Sequence, residues 1–309
     1  MCMLTPVLQM NHISKTYKEH QALDGVSFTI QQGEIYGFIG QNGAGKTTLI
    51  RIVTGLSYPT NGSFALFGAA EESQKVKARK RIGAIIETPA LYGHMTAADN
   101  LEVLRLQKGI PGKACIEKNL KLVGLAHTGN KKVKNFSLGM RQRLAIAGTL
   151  LGDPEFLILD EPTNGLDPTG IREIRNLLLK LNREHRLTIL ISSHILSELH
   201  MLATRFGIIH QGRMIEELSI QELNEKCQKH LRIKVDDPKR ASIVLETKLK
   251  TNNFEVLSDG TLKLYQYTEE PHMVSTALVK AGLVIEEFTP TGDDLETYYT
   301  RLIGGETRA

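Results

Sequence analysis

Residues 35–55 read Ile35-Tyr-Gly-Phe-Ile39, then Gly40-Gln41-Asn42-Gly43-Ala44-Gly45-Lys46-Thr47-Thr48, then Leu-Ile-Arg-Ile-Val-Thr54-Gly55. A short apolar run enters a glycine loop, and a helical stretch over 46–54 stops at Gly55, a residue suited to a C-terminal cap. Strand, glycine loop and helix in direct succession open a parallel α/β unit. The loop fits the pattern G-x-x-x-x-G-K-[ST]. Backbone N–H groups can surround a polyphosphate where no Cβ blocks the approach, which accounts for Gly43 and Gly45. The helix that follows points its positive end at the same place. Lys46 is expected to reach the β- and γ-phosphates, and the Thr47 hydroxyl to meet Mg²⁺.

Working outward, Phe156-Leu-Ile-Leu159 and Thr188-Ile-Leu-Ile191 are short continuous apolar runs. Such runs suit strands covered on both faces, with an amphipathic helix near 170–184 between them. The first ends in Asp160-Glu161, at the sheet edge where parallel folds bind ligands. Asp160 is placed to hold Mg²⁺, and Glu161 to polarise a water for attack on the γ-phosphate. Strands are expected at 8–13 and 26–30, helices at 99–108, 116–124 and 138–151, and a hairpin over 206–210 and 213–217.

From about residue 220 the pattern becomes a small α+β unit. Strands are expected at 231–235, 254–257, 261–265 and 284–288, and helices at 238–249, 271–282 and 293–303. A ferredoxin-like arrangement suits this order, and no chemistry attaches to residues 220–309. The basic run Lys75-Val-Lys-Ala-Arg-Lys-Arg81 reads as a solvated helix face.

Composition bounds the rest. The chain has 309 residues, 41% hydrophobic and 23% charged, enough apolar material for about two ordinary domains. A formal charge of +4 argues against a dedicated nucleic-acid binder. Cys2, Cys115 and Cys227 have no metal-ligand spacing and read as thiols in a reducing compartment. No apolar run approaches membrane-spanning length, and the start lacks a signal-peptide pattern. A cytoplasmic chain is expected, with any membrane role exerted through a partner.

Taken together, residues 4–217 resemble the ATP-binding subunit of an ABC transporter. Phe136-Ser137-Leu138-Gly139-Met140-Arg141-Gln142-Arg143 stands where that family has its signature, with Leu138 and Met140 replacing the usual glycine and glutamine. Ser137 is a good N-cap there. The resemblance implies that Ser137, Leu138, Gly139 and Met140 meet the γ-phosphate bound by a second subunit, giving a head-to-tail dimer around two ATP molecules. Asn164-Gly165-Leu166-Asp167 matches the dimer-interface loop, His194 the histidine beside the γ-phosphate and attacking water, and Tyr17 the aromatic that stacks on adenine. ATP contacts are implied for residues 40–48: Gly40, Gln41, Asn42, Gly43, Ala44, Gly45, Lys46, Thr47 and Thr48. Mg²⁺ ligands are implied at Thr47, Asp160 and Glu87, the last standing where the family usually has glutamine.

Glu87 and the Ser-Leu-Gly-Met signature resemble the bacitracin-resistance and lantibiotic-immunity exporters. That implies a P-loop ABC cassette over 1–219, comprising a parallel-sheet core, an antiparallel β subdomain and a helical subdomain near 88–153. An accessory α+β domain over 220–309 completes the chain. The expected partners are a separate polytopic membrane permease and a second copy, or a related ATPase. The expected location is the inner face of the cell membrane. A soluble ABC-type switch on ribosomes or nucleic acid is the alternative. An adenylate-kinase-like enzyme would leave Ser137–Gly139, Asn164–Asp167 and His194 without a role.

Overall fold

The computed structural model describes residues 6–292 and 295–304. The chain divides into two compact units with the boundary between Ile220 and Gln221. In chain order the first contains β1 (Pro6–Tyr17), β2 (His20–Gln31), β3 (Ile35–Ile39), α1 (Lys46–Thr54), β4 (Asn61–Leu66), α2 (Glu72–Arg79) and β5 (Ile82–Ile85). Three helices follow, α3 (Ala97–Gln107), α4 (Ala114–Leu122) and α5 (Leu138–Thr149). Then come β6 (Phe156–Asp160), α6 (Pro168–His185), β7 (Thr188–Ser193), α7 (Leu196–His200), β8 (Arg205–His210) and β9 (Arg213–Ser219).

The main sheet runs β5-β6-β7-β3-β8-β9 and is parallel except for the edge strand β9. Every residue of β3, β6 and β7 is buried, as their unbroken apolar runs require. A second sheet, β2-β1-β4, is antiparallel. It packs through Phe28, whose ring stacks on Tyr36 and Phe38 at centroid distances of 5.1 and 5.7 Å. Leu49, Ile50, Ile52 and Val53 of α1 belong to the same core. This is an α/β P-loop cassette with an antiparallel β layer and a helical segment.

β1 and β2 extend well beyond the expected 8–13 and 26–30. A register shift between Met10 and Ile13 breaks the period-two pattern, and His12 stands there at φ +49° with its N–H on the Ser27 hydroxyl. The basic run is solvated at Val76, Lys77, Lys80 and Arg81, as expected, and departs from a solvated face at the buried Lys75 and Ala78 and the half-buried Arg79. Lys75 is buried against the Phe64 ring at 4.1 Å and paired with Glu72. Arg79 binds Glu72 and the Val53 carbonyl, while Arg81 grips Glu155 through two bonds of 2.6 Å and lies 3.7 Å over Phe67. Long basic side chains bury their stems while the charged heads find carboxylates.

The second unit holds most of α8 (Ile220–Cys227), then β10 (His230–Val235), α9 (Pro238–Lys248), β11 (Phe254–Val256), β12 (Leu262–Leu264), α10 (Pro271–Lys280), β13 (Ile285–Thr291) and α11 (Leu295–Gly304). Its antiparallel sheet has the order β11-β12-β10-β13. With the element sequence β-α-β-β-α-β, this is the ferredoxin-like split arrangement. Leu231, Ile233, Val244, Leu245, Leu264 and Leu278 lie in its core. Residues 293 and 294 of the expected last helix lie outside the described residues, as does Cys2; Cys115 and Cys227 are thiols.

Candidate active site

The loop after β3 is tightly packed by its surroundings. A Cβ on Gly40 would stand 2.7 Å from the Ile209 carbonyl oxygen, and one on Gly45 2.6 Å from that of Ala22. Gly43 has open space instead, and its requirement is a φ of +83°, which side chains disfavour. Gly45 shares that conformational requirement at φ +109°, and packing excludes a side chain there as well. The Gly40 N–H donates to the Ser193 carbonyl at 3.3 Å, and the Ala44 carbonyl accepts from Gly212 at 3.0 Å. Gly45 stands at the N-cap of α1 with no side-chain cap, so that helix end suits an anion.

Lys46 is nearly sealed from solvent. Its ammonium donates to the carbonyls of Gly40 at 2.6 Å and Gln41 at 3.2 Å and pairs with Glu161 Oε1 at 3.1 Å. Those contacts match its three donors. The other Glu161 oxygen, Oε2, lies 3.1 Å from His194 Nδ1. Thr47 Oγ1 donates to Asp160 Oδ2 at 2.7 Å. Lys46, Thr47, Asp160, Glu161 and His194 thus form one connected constellation.

Ser192, which sequence reasoning missed, organises it. Its hydroxyl donates to Asp160 Oδ1 at 2.6 Å and accepts from the Glu161 N–H at 2.9 Å. Glu161 sits at φ +46°, a costly conformation for a non-glycine residue that its neighbours must hold. A serine within an apolar strand, just before Ser193-His194, was the available signal.

A cleft of about 250 Å³ is lined by Tyr17, His20, Asn42, Lys46, Thr47 and Glu161, among others. Gly43, Gly45 and Thr48 also face it, while Ala44 is buried. Tyr17 is half exposed at its rim, its hydroxyl 3.3 Å from Ser57 Oγ and Lys15 Nζ 4.8 Å over its ring. Glu87 stands elsewhere: at φ +60°, its carboxylate is ion-paired with Arg51 of α1. Thr47 and Asp160 are brought together, and Glu87 is held by a cation of its own.

The signature residues form a second face. The Ser137 hydroxyl accepts from the Met140 N–H at 3.2 Å and caps α5. Leu138 is exposed and approaches Gly165, while Gly139 faces Leu166 and Gly170. Asp167 caps α6 by accepting from the Gly170 N–H, with Pro168 at the helix start. Asn164, Gly165, Leu166 and Asp167 therefore lie beside Ser137–Met140. Asn100 of α3 is buried and pins the preceding loop through the Tyr92 backbone and the Thr96 carbonyl.

Beneath the loop, Tyr36 of β3 donates to Glu217 at 3.1 Å. Burial pushes the Tyr36 hydroxyl well above its ordinary range, reinforced by the Glu217 charge. Burial also raises the Glu217 carboxyl, which the Arg205 guanidinium opposes.

A glycine loop at the centre of a parallel sheet, with a lysine, a threonine–aspartate pair and a glutamate at the strand ends, defines a P-loop ATPase. The ABC transporter family model matches residues 23–164. Over 304 residues the chain is 40% identical to the bacitracin transport ATP-binding protein BcrA of Bacillus licheniformis, covering 98% of this chain and 99% of that one. It is 44% identical over 211 residues to the lantibiotic transport ATP-binding protein SrtF of Streptococcus pyogenes, covering 68% and 90%. Among solved structures it resembles the dimeric cassette MJ0796 bound to ADP and Pi, with 27% identity, a TM-score of 0.62 and coverage of 69% and 98%. The chain belongs to the ABC transporter family, as an ATP-binding, ATP-hydrolysing subunit. Among the described residues no helix is long and apolar enough to cross a membrane.

Proposed function

We propose that this subunit drives export of a peptide antibiotic, or another envelope-active compound, through a separately encoded membrane permease. The observation that carries this reading is the end-to-end match to a bacitracin transport ATP-binding protein, which includes residues beyond 220. Two copies, or one copy and a related ATPase, hold ATP head to tail at the inner face of the membrane. The loop 40–48 of one subunit faces Ser137, Leu138, Gly139 and Met140 of the other, and Asn164–Asp167 lines the interface. The side-by-side arrangement of the two latter segments supports one continuous contact face. Residues 1–219 act as the ATPase domain and 220–309 as an accessory domain.

The chemistry follows from the contacts of Lys46. A triphosphate in the loop offers this ammonium stronger acceptors than Glu161. Lys46 then turns to the β- and γ-phosphates, and Glu161 loses the cation that occupies Oε1. The freed carboxylate takes the proton of a water attacking the γ-phosphate in line, while His194 keeps Oε2 oriented. The Thr47 hydroxyl and Asp160 carboxylate, hard oxygen donors already 2.7 Å apart, fit Mg²⁺. That ion would neutralise charge on the phosphates. Glu87 can join these ligands only by leaving Arg51. Tyr17 stacks on the adenine at the mouth of the cleft, and the membrane partner docks in the groove around residues 87–103.

Glu161→Gln tests the assignment. It should retain ATP binding, lower turnover about 100-fold or more, and accumulate an ATP-bound dimer on size exclusion. Turnover at the parental rate would remove Glu161 from the role of base. Expressed with its permease, the parent but not Glu161→Gln should raise resistance to bacitracin or a lantibiotic; equal resistance would refute the transported class.

A further inference from the structure

Two adjacent parallel strands, β5 and β6, end in step, with Ile85 opposite Leu159. Two residues further on, each chain carries a glutamate at positive φ, Glu87 at +60° and Glu161 at +46°. Each glutamate is paired with a cation from the glycine-loop helix: Glu161 with Lys46 and Glu87 with Arg51. The first pair belongs to the hydrolytic site. The second has no place in the chemistry described above, although Arg51 lies one helical turn beyond Thr47, on the same side of α1.

Arg51 connects in two directions. Its carbonyl accepts from the N–H groups of Leu56 and Ser57, and Ser57 in turn meets the Tyr17 hydroxyl. Its guanidinium holds Glu87, and the chain just beyond Glu87 enters the wall of an apolar groove of about 310 Å³, lined by Ile86, Pro89, Leu91, Leu104, Ala145 and Gly148, among others. A non-glycine residue stays in the left-handed region only when its surroundings hold it there. Among the described residues, the ion pair with Arg51 is the side-chain contact that Glu87 makes.

We propose that Arg51 is a positioning residue for the ATPase. It clamps Glu87 and thereby sets the path of residues 86–91 from α1, so that a shift of the nucleotide-binding helix is passed to the wall of the groove. The proposal rests on the reading of Lys46, Thr47 and Asp160 as the nucleotide site. While the clamp is closed, it also keeps the Glu87 carboxylate from Mg²⁺. Releasing it should tighten the Mg²⁺ dependence of turnover and loosen residues 86–91 together.

The test is a double-mutant cycle in the full chain with Arg51→Gln, Glu87→Gln and the double variant, plus Arg51→Lys as the conservative replacement. Two quantities are read: hydrogen exchange across residues 86–91 with and without ATP, and the Mg²⁺ concentration giving half-maximal turnover. Both partners are partly exposed, so a coupling of about two- to fivefold is expected. Each single Gln variant should speed exchange at 86–91 and weaken its response to ATP. The double variant should resemble the singles, and Arg51→Lys should recover most of the protection. Arg51→Gln alone, which leaves the carboxylate unclamped, should lower the half-maximal Mg²⁺ concentration. Additive effects, or exchange at 86–91 unchanged in Arg51→Gln, would overturn the clamp. A parent chain without ATP turnover would instead overturn the nucleotide-site reading, which separates the two failures.

Discussion

Removing one oxygen atom, in Ser192→Ala, should damage both the stability and the chemistry of this subunit. Ser192 is fully buried, donates to Asp160 Oδ1 at 2.6 Å and accepts from the Glu161 N–H at 2.9 Å. A hydrogen bond to an ionised group is worth about 1.5–3 kcal/mol, and a buried donor left without an acceptor costs about 1–3 kcal/mol. Asp160 keeps the Thr47 hydroxyl on its other oxygen, and the Glu161 N–H is only partly buried. The expected loss is therefore near the lower end of the sum, about 3 kcal/mol. For a unit of this size that corresponds to a fall in Tm of about 6–12 °C. The Glu161 backbone is held at φ +46° partly through this bond, so kcat should fall more than ATP affinity. Thermal unfolding followed by far-ultraviolet circular dichroism gives the first quantity, and steady-state ATP hydrolysis with ATP-binding calorimetry the second. A fall in Tm below about 2 °C, with parental kcat, would show that Ser192 holds neither carboxylate in place.

The remaining predictions concern the support beneath the loop. A Cβ at residue 207 would stand 2.4 Å from the Tyr36 hydroxyl oxygen, so Gly207→Ala should cost about 1–3 kcal/mol by overpacking. In a Tyr36→Phe background the cost should shrink, and equal losses of Tm in both backgrounds would contradict the contact. Glu217 carries a pKa raised by burial, so the folded chain keeps that proton to higher pH than the unfolded chain. Its contribution to stability is full below the unfolded value and is lost as pH rises through the folded value. Glu217→Gln cannot titrate, so the Tm of the variant minus that of the parent should climb across this window; a flat difference would show that Glu217 is not desolvated.

The chemistry legible in the chain is the part whose geometry is local. The loop 40–48 and helix α1 form one contiguous stretch, residues 40–54, and glycine spacing carries the loop's conformation directly. Strands β3, β6 and β7 announce themselves because burial on both faces demands unbroken apolar runs. Ser137 reads as a helix cap because a cap is satisfied three residues away. The antiparallel layer was only partly legible. β4 offers Asn-Gly-Ser before its first buried residue, Phe64, and becomes a strand by pairing with β1. Lys75 and Arg79 look like part of a solvated run in one dimension and are drawn inward only by Phe64, Glu72 and the Val53 carbonyl, while Arg81 stays exposed beside Glu155.

Residues far apart in sequence meet where no local pattern could announce them. Thr47 reaches Asp160 across 113 positions, and Ser192 reaches Asp160 across 32, because the parallel register brings Asp160 beside Ser192 and α1 over the end of β6. That registry decides which carboxylate receives which partner. It gives Glu161 to Lys46 and His194, and Glu87 to Arg51, a pairing that residue type alone leaves open. Spacing thus specifies a phosphate-binding loop, since the cradle is built from consecutive backbone. Tertiary structure decides how each acid is held, since electrostatic pairing depends on distances that strand register and helix packing set.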